Sequence, residues 1–166
     1  MPNTQVTIVL VEDDPGHARL IEKNLRRSNI TNELLVLTDG QQAVDYLFGE
    51  GAYAGSERST RLLMLLDLNL PVLDGYQVLQ RMKGDERTRH IPVVILTTTD
   101  DAREVARCYD LGCNVYVTKP VDYERFSQAI RELGLFLTVV AVPDGELVSR
   151  RSRGPFASVT EKTLPV

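Results

Sequence analysis

The sequence predicts a doubly wound α/β domain, a (βα)5 repeat whose five parallel strands lie in the order 2-1-3-4-5. Three observations predict it. Short apolar runs alternate with segments of helical period. The runs Val6–Val11 and Leu62–Leu66 are apolar almost throughout, as strands covered on both faces are. Right-handed crossovers then leave few strand orders, of which 2-1-3-4-5 is a common one.

Val6–Val11 (VTIVLV) is predicted as the first strand. Pro15 stands where a first helical residue belongs, after a cap at Asp14, and Ala18, Ile21 and Leu25 give that helix one buried face. Glu33–Leu37 reads as the second strand, and Gln41–Phe48 as a helix burying Ala43, Val44, Leu47 and Phe48. Gly49–Thr60 is loop. Leu62–Leu66 is the third strand, followed by a helix over Gly75–Lys83 that buries Val78, Leu79 and Met82. Pro92–Leu96 is the fourth strand, and Asp101–Leu111 a helix with Val105, Ala106 and Tyr109 inward. Val115–Val117 is a short fifth strand, and Asp122 caps a last helix from Tyr123 to Thr138. Residues 1–142 are expected to form the domain and 143–166, which lack any apolar period, a flexible tail.

Composition narrows the function classes. The 166 residues are 43% apolar and 25% charged, the balance of a globular chain. Nineteen basic against twenty-three acidic residues give a net charge of -4, which argues against a broad nucleic-acid surface. Arg150, Arg151 and Arg153 read as a solvated patch. The apolar stretches are too short to cross a bilayer and no signal segment opens the chain, so a cytoplasmic location with no membrane or nucleic-acid partner is expected. Cys108 and Cys113 have the spacing of neither a zinc knuckle nor a redox pair and read as semi-buried thiols. His17 and His90 read as surface imidazoles.

In open α/β sheets chemistry gathers beyond the carboxyl ends of the strands. There the sequence places Glu12, Asp13 and Asp14 after the first strand, Asp67 after the third, Thr97 at the fourth and Lys119 after the fifth. Carboxylates crowded together repel unless a cation intervenes. Oxygen ligands without His or Cys favour a hard ion such as Mg²⁺. A carboxylate beside such an ion, a lysine and a threonine hydroxyl suits a phosphoryl acceptor, because metal and lysine offset the charge on the transferring group. Each piece alone has a plainer meaning: an acidic turn, a Lys-Pro loop, an Asp-Gly turn. Together they fall at successive strand ends.

LVEDD at Leu10–Asp14, LLDLNLPVLDG at Leu65–Gly75, VVILTT at Val93–Thr98 and YVTKP at Tyr116–Pro120 resemble the receiver domain of two-component response regulators, from Val6 to Leu137. The resemblance implies a flavodoxin-like receiver fold and a phosphorelay role. It implies that Asp67 accepts phosphate from a sensor histidine kinase. Asp13 would bind Mg²⁺ directly, Glu12 through water, and Asn69 by its backbone carbonyl. Thr97 and Lys119 would bind the phosphoryl group, Tyr116 would be the switch aromatic, and the Lys119–Pro120 peptide would be cis. Glu12 stands where the family more often has Asp, one methylene longer. Phosphorylation would draw Thr97 in, let Tyr116 turn inward and reshape the surface of the fourth helix, fifth strand and fifth helix.

No second domain follows, so output through another protein, not through an attached effector, is expected. The chain would be a switch and not an enzyme beyond self-phosphotransfer and autodephosphorylation. In the last predicted helix Phe126, Ile130, Leu133 and Leu137 form a core stripe, while Leu135, Phe136, Val139 and Val140 add apolar side chains on other faces. These four are read as a homodimer seam, against the alternative that Phe136 and Val140 fold back on the core. GEGAYAGSERSTR, LTTTDD and FLTVVAVP extend the resemblance to the single-domain regulators paired with cyanobacterial phytochromes, which implies a phytochrome kinase as donor.

Rival readings are weaker. An aspartyl-phosphate hydrolase needs a second acid where Asn69 stands. A flavin carrier needs a phosphate cradle where Glu12-Asp13-Asp14 would repel phosphate. An unphosphorylated receiver-like interaction scaffold would lack one of Asp13, Asp67, Thr97 or Lys119, and all are present. Because Thr99 carries no base, hydrolysis of an acyl phosphate at Asp67 should be slow to moderate. Thr99→Glu is expected to change the rate at which the phosphoprotein loses its phosphate, followed by intact mass against time; an unchanged rate refutes that role.

Overall fold

A computed structural model describes residues 6–27, 29–56, 61–99 and 101–119. Five parallel strands, β1 Thr7–Val11, β2 Leu34–Leu37, β3 Leu62–Leu66, β4 Val93–Thr97 and β5 Val115–Thr118, lie in the order β2-β1-β3-β4-β5. Between them run α1 Pro15–Arg27, α2 Gly40–Phe48, α3 Gly75–Lys83 and α4 Ala102–Asp110, with a short 3-10 turn at Gly51–Tyr53 after α2. The fold and strand order are those the sequence predicts. The last predicted helix, the Lys119–Pro120 peptide, the seam residues Leu135, Phe136, Val139 and Val140, and the 143–166 tail lie outside the described residues.

Successive strand side chains point to opposite faces, and here both faces are covered. Ile8, Leu10, Leu63, Leu65, Val94 and Leu96 meet Ala18, Ile21 and Leu25 of α1 on one side. Val9, Val11, Met64, Leu66, Val93 and Ile95 meet Ala43, Val44 and Leu47 of α2, Val78, Leu79 and Met82 of α3, and Cys108 of α4 on the other. Each helix starts on an aspartate that satisfies otherwise unpaired N–H groups. Asp14 accepts from Gly16 and His17 (2.8 and 3.0 Å), Asp39 from Gln42 (2.7 Å), Asp74 from Gln77 (2.9 Å) and Asp101 from Arg103 (2.8 Å). Gln77 returns a bond to the Asp74 N–H, closing a capping box.

The loop joining β3 to α3 is tightly drawn. A Cβ on Gly75 would come within 2.2 Å of the Asp67 carbonyl oxygen, and one on Gly40 within 1.9 Å of that of Leu73, so both helix starts depend on glycine for close approach. Val72 has φ 70°. For a β-branched residue this left-handed backbone costs on the order of 1–3 kcal/mol.

Most element ends differ from the sequence expectation by one residue, and three differences have a visible physical cause. Strand β4 runs one residue later, Val93–Thr97, because Pro92 has no N–H for the ladder; its carbonyl still accepts from Met64 (3.0 Å). Phe48 packs against the core but only half-buried, with the guanidinium groups of Arg81 (5.5 Å) and Arg87 (4.9 Å) lying over its ring. In α4 the inward residue is Cys108, with Val105 half-buried and Ala106 and Tyr109 exposed. The helix is rotated so that the Tyr109 hydroxyl accepts the N–H of Tyr116 (3.2 Å), while Arg107 stacks over the Tyr76 ring at 4.0 Å and joins α4 to α3.

Among the described residues no helix is long and apolar enough to cross a membrane. Both cysteines are free and buried. Burial pushes the Cys108 thiol up to about 11 and that of Cys113 up to about 12. At pH 8 the thiolate fraction is then on the order of one in a thousand or less. Ellman's reagent is expected to titrate no thiol on the native chain at pH 8 within the time that both react in 6 M guanidinium chloride; rapid native labelling of either cysteine refutes this burial.

Candidate functional site

The site forms where the ladder runs one residue past each strand. The N–H of Glu12 donates to Leu37 (2.9 Å), that of Asp67 to Val11 (3.1 Å) and that of Lys119 to Thr97 (2.6 Å). Sheet hydrogen bonding therefore holds three residues from distant parts of the sequence at one edge, with their side chains converging. Thr97 is itself the last residue of β4 and fully buried.

Glu12, Asp67 and Lys119 are buried, while Asp13 and Asn69 are exposed. The Lys119 ammonium donates to Glu12 Oε1 and, at 3.2 Å, to Asp67 Oδ2. Carboxylate oxygens of Glu12, Asp13 and Asp67 all lie within 4.8 Å of one another. The Asn69 N–H reaches Asp67 Oδ1 at 3.4 Å. Burial raises the Glu12 carboxyl above its ordinary value, an effect that Lys119 opposes and Asp67 reinforces. A carboxyl raised in this way binds its proton more tightly folded than unfolded, so its contribution to stability is full at low pH and falls as pH rises through its folded value.

The Thr97 hydroxyl is buried and has no hydrogen-bond partner among the described residues. Such a group costs about 1–3 kcal/mol unless something fills the position it faces. Tyr116 is half-buried, and its hydroxyl donates to the carbonyl of Thr99, two residues beyond Thr97. Of the sequence-predicted site residues within the described range, Glu12, Asp13, Asp67 and Lys119 meet and the Asn69 N–H reaches Asp67, while Thr97 ends β4 at the same sheet edge and Tyr116 lies on the neighbouring β5.

One neighbour lay beyond the sequence reading. His17 stands half-exposed in the first turn of α1, with Nδ1 3.5 Å from Glu12 Oε1, although the sequence reads it only as a surface imidazole. The signal was its place three residues after the capping Asp14, which turns it back over the end of β1.

Residues 8–131 match the model of the response regulator receiver domain. The chain belongs to the receiver domain family of response regulators. A response regulator receiver domain from Rhodospirillum rubrum is 57% identical, with a TM-score of 0.76 over 83% of this chain and 97% of its own. Response regulator Rcp1 of Synechocystis is 37% identical over 142 residues, 85% of this chain and 95% of Rcp1. The crystal structure of the Mn²⁺-bound form of Rcp1 superposes with a TM-score of 0.76 over 84% of this chain and 99% of that one. The phosphorylated cyanobacterial phytochrome response regulator RcpA is 38% identical, with a TM-score of 0.75 over 82% and 97% of the two chains. This receiver is accordingly a response regulator of two-component signalling.

Receiver domains bind Mg²⁺ at an acidic site, and the residues of this chain fit such an ion. The donors are all oxygen, three carboxylates close enough to share one cation, as a hard divalent ion requires. Without metal, Lys119 is the internal counter-charge to Glu12 and Asp67. Removing one partner of a buried ionic group costs about 3–5 kcal/mol. Lys119→Met is expected to lower the unfolding free energy in EDTA by about 3 kcal/mol, and excess MgCl2 to restore part of the loss, both read from urea denaturation; equal stability of variant and wild type in EDTA refutes the balancing role.

Proposed function

We propose that this receiver accepts a phosphoryl group on Asp67 from a phosphohistidine of a sensor histidine kinase, with a phytochrome as that kinase. The observation that carries the proposal is the Lys119 ammonium on Asp67 Oδ2 at the strand ends, and it is supported by Thr97, the last residue of β4, whose buried hydroxyl has no hydrogen-bond partner among the described residues. The likeness to RcpA, described as a phytochrome response regulator and solved phosphorylated, supports the choice of donor.

An oxygen of the Asp67 carboxylate attacks phosphorus as the phosphorus–nitrogen bond of the phosphohistidine breaks, and the departing imidazole takes up a proton. Glu12, Asp13, Asp67 and the Asn69 carbonyl would hold Mg²⁺, which when bound supplies positive charge to the phosphoryl oxygens. Lys119 adds a point charge on the buried side. Thr97 donates its unused hydroxyl to a phosphoryl oxygen, gaining the partner it lacks. The product carries about -1.5 to -2 charges at Asp67, by analogy with other phosphorylated residues.

Movement of Thr97 toward that charge opens space beside β4, into which the Tyr116 ring turns after leaving the Thr99 carbonyl. The surface of α4, β5 and the last predicted helix then changes for its reader. Reversing such a switch from 1:99 to 99:1 takes about 5.5 kcal/mol, the scale that several charge-assisted bonds can supply. In this reading residues 1–142 act as one domain, 143–166 as a flexible tail, and Leu135, Phe136, Val139 and Val140 as the homodimer seam of a cytoplasmic switch. Self-phosphotransfer and autodephosphorylation are its only chemistry.

Incubation with acetyl phosphate and MgCl2 is expected to add one phosphate to the intact mass, with Asp67→Asn or EDTA abolishing the gain. No gain under conditions that label a control receiver overturns the proposal and leaves an unphosphorylated interaction scaffold.

A further inference from the structure

Lys83, the last residue of α3, is half-buried and forms no ion pair among the described residues. Its Nζ donates to the carbonyls of Arg89 (3.0 Å) and Ile91 (2.8 Å), so the connection from α3 to β4 is drawn around one amine. The stem lies along Gly112, where a Cβ would come within 3.0 Å of Lys83 Cγ and 3.3 Å of Cδ. Burial without an anion disfavours the charged form and brings the ammonium down to about 8, an effect that the Cys113 thiol opposes less strongly.

The two carbonyl bonds use two N–H groups. An ammonium has a third, for which the described residues supply no acceptor. A neutral amine keeps both bonds and turns a lone pair in that third direction, so losing the proton costs the fold no hydrogen bond. At pH 7.5 about a quarter of such an amine is neutral, against about one in a thousand for an ordinary lysine. A less basic amine is also a weaker nucleophile, which reduces the gain to about tenfold. Arg89, whose carbonyl Lys83 holds, is exposed and forms no ion pair among the described residues. It carries a guanidinium within one side chain's reach of the amine, which favours an anionic reagent over a neutral one.

We propose that Lys83 is an acyl-acceptor site for small acyl phosphates, and that its acylation loosens the connection between α3 and β4. The neutral Nζ attacks the carbonyl carbon of the donor, the bond from that carbon to the phosphate oxygen breaks, and phosphate leaves with the electron pair. The surplus proton on nitrogen passes through water to the departing phosphate, so amine and acyl phosphate become amide and inorganic phosphate. The amide has one N–H and no charge, and the carbonyls of Arg89 and Ile91 are no longer both held. Lys83 acts before the start of β4, whereas Thr97 ends that strand, and the inference does not draw on Asp67 as phosphoacceptor.

The test incubates the full chain with acetyl phosphate at pH 7.5 in EDTA and follows acetylation of Lys83 and of Lys23, exposed on α1, by peptide mass spectrometry. Lys83 is expected to react about tenfold faster than Lys23, and the difference to vanish in 6 M guanidinium chloride. Equal or slower reaction of Lys83 on the folded chain overturns the site. A preference that survives unfolding overturns it too, because the local sequence and not the fold would then cause it. Arg89→Ala is expected to slow acetylation of Lys83 by acetyl phosphate about threefold and to leave acetylation by the uncharged N-hydroxysuccinimide ester of acetic acid unchanged. No fall with acetyl phosphate, or an equal fall with both reagents, overturns the anionic donor. Chain acetylated at Lys83 alone, separated by ion exchange, is expected to melt a few degrees lower than unmodified chain; coincident melting refutes the loosening.

Discussion

Glu12 and Asp67 are carboxylates carried almost out of water, and the cation set directly between them is the ammonium of Lys119, itself buried. Desolvating three charged groups is expensive, and their attraction repays it only when the geometry is held closely. The three residues are separated by up to 107 positions in sequence, so no local element can hold them. Parallel pairing can: the ladder hydrogen bonds that reach Glu12, Asp67 and Lys119 continue those of β1, β3 and β5 by one step. The same register that packs the two core faces thus sets the spacing of the charges. A slip of one residue in any central strand would send its apolar set to the wrong face and its site residue away from the others.

This coupling explains why so much was legible in sequence. Leu62–Leu66 and Gly75–Lys83 lie where the pattern puts them, and once the strand ends are known the first polar residue after each is a site candidate. What escaped depends on surfaces that sequence periodicity does not describe. The stretch AREVARCYD has few apolar residues, and a Tyr can serve as core or as a hydrogen-bonding group; Tyr109 serves as the second, at the edge of β5. Phe48 counts as apolar in any pattern, yet it is only half-buried against the core, with two arginines lying over its ring. The backbone sign at Val72 is invisible in Leu-Pro-Val-Leu, which reads as ordinary apolar loop until the turn is folded. His17 belongs to the same class, since only the path of the chain from β1 into α1 brings its ring beside Glu12.

How a change at the acidic edge would travel, under the proposed reading, depends on two hydrogen bonds of Tyr116. Its hydroxyl holds the Thr99 carbonyl, and its N–H holds the Tyr109 hydroxyl of α4. Any movement of Thr97 displaces the segment that carries Thr99 and so acts on the ring of Tyr116, while the backbone of the same residue stays tied to α4. Breaking one neutral hydrogen bond costs only about 1 kcal/mol net. A 99:1 resting population stands for about 2.7 kcal/mol, half of the roughly 5.5 kcal/mol needed to invert it, so the Tyr116–Thr99 bond supplies only part of what holds the resting state. Packing contributes too: Tyr116 lies against the same apolar cluster as Leu111 and Cys113, and a ring that turns has to leave one close-packed arrangement for another. Close-packed interiors resist intermediate positions, so under the proposed reading a small displacement of the Thr97 hydroxyl would have an all-or-none effect at a distant surface.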